Sequence, residues 1–129
     1  MYITYLIYYT LEFYRYSVKK PSQVMFVDQC TKAAYEQLRS GDESERLLYE
    51  SLSRAFGVLS ENAFAGIQVP KKQIPAAYVR EFGVDNLWKL NLSGAWRLLY
   101  SVRGSSVVVL SVILEWLDHS EYDRRFGYK

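Results

Sequence analysis

Asn86–Trp116 reads NLWKLNLSGAWRLLYSVRGSSVVVLSVILEW. Three extended runs lie in it, separated by short glycine-containing turns. Asn86–Leu92 is the first run, with Ser93-Gly94 as its turn. Trp96–Val102 is the second, with Arg103–Ser105 as its turn, and Ser106–Trp116 is the third. Valine, isoleucine, leucine and tryptophan favour pleated structure, and turns this short join antiparallel neighbours. Val107–Leu110 is apolar at every position, which suits a central strand covered on both faces. A sheet of this kind needs a partner layer, so the upstream chain must supply it.

Upstream, Gly66–Lys72 reads as a loop, and Pro75 to Gly83 as one short helical turn. Before these come two helical patterns. Asp28 can cap the first, in which Cys30, Ala34 and Leu38 recur every four residues as an apolar stripe. Ser40-Gly41 ends it, with glycine suited to a left-handed cap. Asp42 and Glu45 form a capping-box pattern for the second, whose inward face is Leu48, Leu52, Ala55, Phe56 and Leu59. The pair makes an antiparallel hairpin. Gln23–Asp28 alternates as a short strand, with Val24 and Phe26 on one face. The expected class is α+β: an N-terminal strand and a two-helix hairpin packed on an antiparallel sheet.

Lys19, Lys20 and Pro21 mark a boundary. The expected organisation is an extension over residues 1–20 and one domain over residues 21–129. Met1–Ser17 holds six of the twelve tyrosines. Its longest uncharged run is too short to span a bilayer, which takes about 20 apolar residues. It also lacks the marks of a secretory signal. It reads as an added strand or helix, as an interaction arm, or as a stretch upstream of the true start.

The composition narrows the chemistry. The chain has 129 residues, half of them hydrophobic, and a net charge of +2. That leaves room for one core and excludes wholesale disorder. A single cysteine and a single histidine exclude a disulfide framework and most zinc sites. No metal and no cofactor are expected. Residues 1–65 carry a net charge of −1 and residues 66–129 a net charge of +3, so an anionic partner should meet the C-terminal half. No phosphate loop or nucleophile elbow is present. Glu43 and Glu45 read as solvated helix-start charges, favoured by the macrodipole. Cys30 reads as a small buried hydrophobe, and Trp88, Trp96 and Trp116 as packing residues. A cytoplasmic location is expected from the lone thiol and the lack of an export signal.

The C-terminal stretch gathers the chemistry-bearing residues. Lys89 lies on the first strand of the three and Arg97 on the next. His119, Tyr122, Arg124 and Arg125 follow the third. If the tail folds back over the sheet, an imidazole, a phenol and several cations converge. That set suits RNA phosphodiester cleavage. The 2′-hydroxyl must lose a proton, the phosphorane must be neutralised, and the leaving 5′-oxygen must gain a proton. Histidine can perform either transfer, and guanidinium or ammonium groups stabilise the added charge. The plainer reading is a surface histidine beside a solvated basic face, with Lys71 and Lys72 as ordinary loop charges.

These elements together resemble the RelE/ParE superfamily of bacterial and archaeal toxins. The resemblance rests on Lys89, on Ser93-Gly94, on Trp96-Arg97-Leu98-Leu99-Tyr100, on Val107–Leu114, and on His119 with Tyr122. It covers roughly residues 20–129. The turn between Lys89 and Arg97 is one residue longer than the family pattern, and the basic surface of many members is diluted here. The resemblance implies a β-α-α-β-β-β fold and a type II toxin, a ribosome-dependent endoribonuclease that cuts mRNA and is blocked by a cognate antitoxin. It implies that Arg97 and Lys89 stabilise charge, that His119 is general acid or base, and that Tyr122 orients the RNA. Lys71, Lys72, Arg124 and Arg125 are the candidate RNA-binding cations. The family also contains inhibitors of DNA gyrase and inactive relatives. DNA is expected only through an antitoxin complex, and no membrane partner is expected.

Overall fold

The computed structural model describes residues 20–104 and 109–127. The tyrosine-rich segment Met1–Ser17 lies outside them, as do Val107 and Val108 of the valine run.

The chain starts as a strand, β1 (Gln23–Phe26), in which Val24 and Phe26 face inward and Gln23 and Met25 face out. Asp28 stops it by accepting a hydrogen bond from the Thr31 amide at 2.7 Å, and α1 (Gln29–Leu38) begins. The expected stripe on α1 is rotated. Cys30 and Ala34 are exposed, whereas Tyr35 and Leu38 turn inward. The reason is aromatic packing, since the Tyr35 ring lies 4.7 Å from Tyr49, 5.1 Å from Phe56 and 5.4 Å from Phe26. Cys30 is thus not the buried hydrophobe its spacing suggests. Nor is Gly41 left-handed. The turn after α1 closes through ordinary bonds from the Arg39, Ser40 and Gly41 amides.

The capping box at Asp42 and Glu45 is present and opens α2 (Glu43–Glu61). Leu48, Leu52, Ala55 and Leu59 are buried along its inner side, with Phe56 beside them. The expected loop after it contains a two-residue strand, β2 (Ile67–Gln68), and a tight turn at Lys71–Gln73. Pro75 then leads into α3 (Ala76–Phe82), which Gly83 ends at φ +63°.

β3 (Trp88–Asn91), β4 (Arg97–Gly104) and β5 (Val109–Leu117) follow. β3 starts two residues late and β4 runs two residues past the expected end. Among the described residues the sheet has five strands in the order β1-β5-β4-β3-β2. The pairs β2–β3, β3–β4 and β4–β5 are antiparallel, but β1 lies parallel to β5, so the sheet is mixed rather than antiparallel. The reason is topological. Short turns force only adjacent strands to be antiparallel, whereas β1 and β5 are joined through most of the chain and either direction is open to them. The fold is therefore α+β, with an additional short strand and an additional helix in the tail, while the expected helical turn from Pro75 to Gly83 is present as α3.

Asp118 and Glu121 form a second capping box, which turns the tail into a helix, α4 (His119–Phe126), closed by Gly127 at φ +76°. The helix hairpin covers one face of the sheet through Leu98, Tyr100 and Ile113. On the other face, Tyr78 and Phe82 of α3 and Tyr122 and Phe126 of α4 join Leu99, Val112, Leu114 and Leu117. The sheet is buried on both sides, which is why β5 reads as almost wholly apolar.

Tyr100 ties the layers together. Its hydroxyl donates to the Ala63 carbonyl at 2.8 Å and accepts from the Gly66 amide at 3.0 Å. A Cβ on Gly66 would lie 2.5 Å from the Lys89 carbonyl oxygen and 2.8 Å from the Tyr100 hydroxyl. Gly66→Ala must therefore push β2 off β3, and we expect a loss of about 1–3 kcal/mol in a urea unfolding measurement. An unchanged midpoint would mean that the approach relaxes without strain.

Burial also pushes the Tyr100 phenol up to about 12, partly offset by the Gly66 amide. Tyr78 is pushed further, by burial and then by the nearby Glu115 carboxylate. The folded state therefore holds these protons at a pH where the unfolded chain, at about 10, releases them. Stability from this source is complete below pH 10 and declines as pH climbs toward 12. Urea midpoints taken across that window should fall, and less steeply for Tyr100→Phe.

Candidate functional site

The site forms where α4 lies back over the sheet. Lys89 stands opposite Leu99, which stands opposite Glu115, so these three share a row across β3, β4 and β5. Arg97 stands opposite Asn91 and Leu117 in the next row. The side chain between the two cations comes from α4. Tyr122 is 4% exposed, and its ring is stacked on Phe126 at 4.3 Å. Lys89 Nζ stands 5.1 Å from the centre of that ring, and the Arg97 guanidinium carbon 5.8 Å. Each contact is worth about 0.5–1 kcal/mol where the cation keeps access to water. An Arg97 N–H also reaches the Trp96 carbonyl at 3.4 Å. Among the described residues neither Lys89 nor Arg97 is paired with a carboxylate.

His119 begins α4, two residues after Leu117, the strand partner of Arg97. Its side chain is 63% exposed, and Nε2 lies 3.2 Å from Asp123 Oδ2, one turn along the same helix. The imidazole is therefore open to solvent and held by a carboxylate rather than enclosed.

The remaining candidates divide. Arg125 is engaged, with a 2.7 Å ion pair to Glu115 and its guanidinium 5.6 Å from the Tyr78 ring. Its role is to fasten α4 to β5. Arg124 is exposed on the outer side of α4, and Lys71 and Lys72 are exposed on the turn before α3. Among the described residues, the cations that stand over the aromatic rings of this face are Lys89, Arg97 and Arg125, and none of these three outer cations.

Tyr122, to which the resemblance gives the task of orienting RNA, is turned into the core by α4. It is the platform on which the two cations stand. Trp88, Trp96 and Trp116 are half-buried and pack toward the helix hairpin, as expected of packing residues.

Asp123 and Glu115 escape the sequence reading. The signal for Asp123 was present in the Asp118-x-x-Glu121 spacing. It marks a helix start, and a helix from His119 sets Asp123 four residues on, within reach of the imidazole. Glu115 is a carboxylate inside an apolar run, which itself asks for a cationic partner.

Among the described residues there is no cluster of metal-ligating side chains, and no helix is long and apolar enough to cross a membrane. No family model, curated protein or solved structure matches the chain.

Proposed function

We propose that the chain is the toxin of a type II toxin–antitoxin pair, of the RelE/ParE kind, and an endoribonuclease acting on mRNA at the ribosome. The observation that carries this reading is the pair Lys89 and Arg97 over the Tyr122 ring, at 5.1 and 5.8 Å, with solvent-open His119 on the same helix. Two cations without carboxylate partners among the described residues, held close together on a rigid sheet, suit a phosphodiester group. The β1-α1-α2 start and the β3-β4-β5 sequence support the β-α-α-β-β-β resemblance.

In this reading the 2′-hydroxyl attacks the adjacent phosphorus while the P–O5′ bond breaks, giving a 2′,3′-cyclic phosphate and a free 5′-hydroxyl. His119 takes the 2′ proton or delivers one to the 5′-oxygen, with water serving the other transfer. Arg97 and Lys89 neutralise the added charge of the phosphorane. Tyr122 positions both cations, and Asp123 steadies the imidazole. Partners are mRNA on the ribosome and a cognate antitoxin, with DNA met only through an antitoxin complex.

A second reading has one observation in its favour. His119 is held within its own helix by Asp123, and Arg125 by Glu115, which leaves a compact cationic spot fit for binding without bond cleavage. A non-nucleolytic inhibitor of DNA gyrase, or an inactive antitoxin-binding relative, would use it so.

Expression of the native chain and of the Arg97→Ala/His119→Ala double variant separates these readings. The native chain should arrest growth and fragment mRNA, and the double variant should do neither. Equal arrest by both removes the catalytic assignment. Trapped gyrase cleavage complexes without RNA fragments would establish the second reading in its place.

A further inference from the structure

β5 is not a regular strand. Leu99 stands opposite Glu115 but Tyr100 stands opposite Ile113, so Leu114 has no partner on β4 and the ladder carries a bulge there. The bulge falls where β1 ends. The last β1 pairing is Phe26 with Ile113, and the Val27 amide still reaches the Ile113 carbonyl at 2.9 Å. From Leu114 onward, among the described residues, β5 is paired on the β4 side alone.

The extra residue decides which side chains reach the site. Before it, Val112 faces α3 and α4 and Ile113 faces the helix hairpin, in ordinary alternation. Leu114 and Glu115 then both lie on the α4 face, Leu114 in its core and Glu115 in the 2.7 Å pair with Arg125. Trp116 returns to the hairpin face and Leu117 to the α4 face. Without the bulge, a one-residue slip would reverse every side chain beyond Ile113. Glu115 would then point away from Arg125, and Leu117, which stands opposite Arg97, would leave the core under α4.

The pair that results holds the helix that carries the aromatic platform. Arg125 follows Tyr122 by three residues, about one turn, on α4. Its guanidinium also stands 5.6 Å from the ring of Tyr78, a fully buried residue of α3. Arg125 thus joins α4 to both β5 and α3. One turn away, Lys89 and Arg97 stand over the Tyr122 ring.

We propose that Glu115 is a positioning residue: re-aimed by the bulge at Leu114, it holds Arg125 and so sets where the Tyr122 ring presents Lys89 and Arg97 to the scissile phosphate. The phosphate rests on the RNA-cleaving reading, whereas the placement of the two cations does not.

The test uses the full chain, Glu115→Gln, and the charge swap Glu115→Arg/Arg125→Glu, which rebuilds the pair in reverse. NMR without RNA follows the Lys89 and Arg97 side-chain signals, which the Tyr122 ring current displaces. Both should move in Glu115→Gln and return in the swap. On programmed ribosomes, Glu115→Gln should cleave a defined mRNA with kcat about tenfold lower and KM not raised, and the swap should recover to within about threefold of native. Should Glu115→Gln not fold, Arg125→Lys takes its place, because it keeps the charge but loses the fork, and the same displacements are expected of it. Signals that stay in place overturn the proposal, as does an unchanged kcat in a variant whose signals have moved, or a folded swap that restores neither. A lowered urea midpoint with signals and kcat unchanged would show a stabilising pair only, and overturns it too. A native chain that cuts no mRNA removes the nuclease reading instead, and the NMR signals then decide the placement of the cations by themselves.

Discussion

Arg97→Ala is expected to cut mRNA about 10²–10³-fold more slowly than the native chain, the loss typical of removing one charge-stabilising donor from a transition state. The expectation follows from position. Arg97 sits at the start of β4, half-buried, with its guanidinium over Tyr122 and unpaired with any carboxylate among the described residues. Its structural contribution is small, about 0.5–1 kcal/mol of ring contact. Rate and stability should therefore separate. Single-turnover cleavage of a defined mRNA, with and without programmed ribosomes, gives the rate, and a urea midpoint gives the stability. Arg97→Lys should fall between the native chain and Arg97→Ala, because it keeps the charge but loses the planar fork. A native rate in Arg97→Ala would remove this residue from the chemistry. A native rate in His119→Ala, where about 10²–10⁴-fold is at stake, would do the same for the imidazole.

Leu52→Ala should lower stability by about 2–5 kcal/mol, whereas Leu47→Ala, five residues earlier on α2, should change it by no more than about 0.5 kcal/mol. The two leucines have the same chemistry and helix. Leu52 is 0% exposed, packed in the core with Leu98, Tyr100 and Ile113, and its loss leaves a cavity between α2 and the sheet. Leu47 is 58% exposed and loses little contact when cut back. Paired denaturant titrations decide the matter. Equal losses would mean that α2 is seated differently, with Leu47 inside.

Some features were legible because the physics behind them is local. The boxes at Asp42 and Glu45 set the start of α2, and Leu48, Leu52, Ala55 and Leu59 repeat at helical spacing because one side of that helix faces the core. Ser93-Gly94 marks a hairpin because Gly94 adopts φ +73° there. The grouping of Lys89, Arg97 and Tyr122 was foreseen only as a condition on the tail folding back. The tail's own box at Asp118 and Glu121 held the means to see that it would do so as a helix.

By itself, the order of residues determined the helix starts, the three C-terminal strands, the α+β class and the identity of every cation now near Tyr122. Each of these depends on neighbours a few positions apart. Tertiary structure alone decided that β1 runs parallel to β5, that Tyr35 rather than Cys30 turns inward, and that Arg125 pairs with Glu115 while Arg97 and Lys89 stand over one ring. Those choices join groups far apart along the chain. They are set by which apolar surfaces cover one another, and no window of sequence contains both partners.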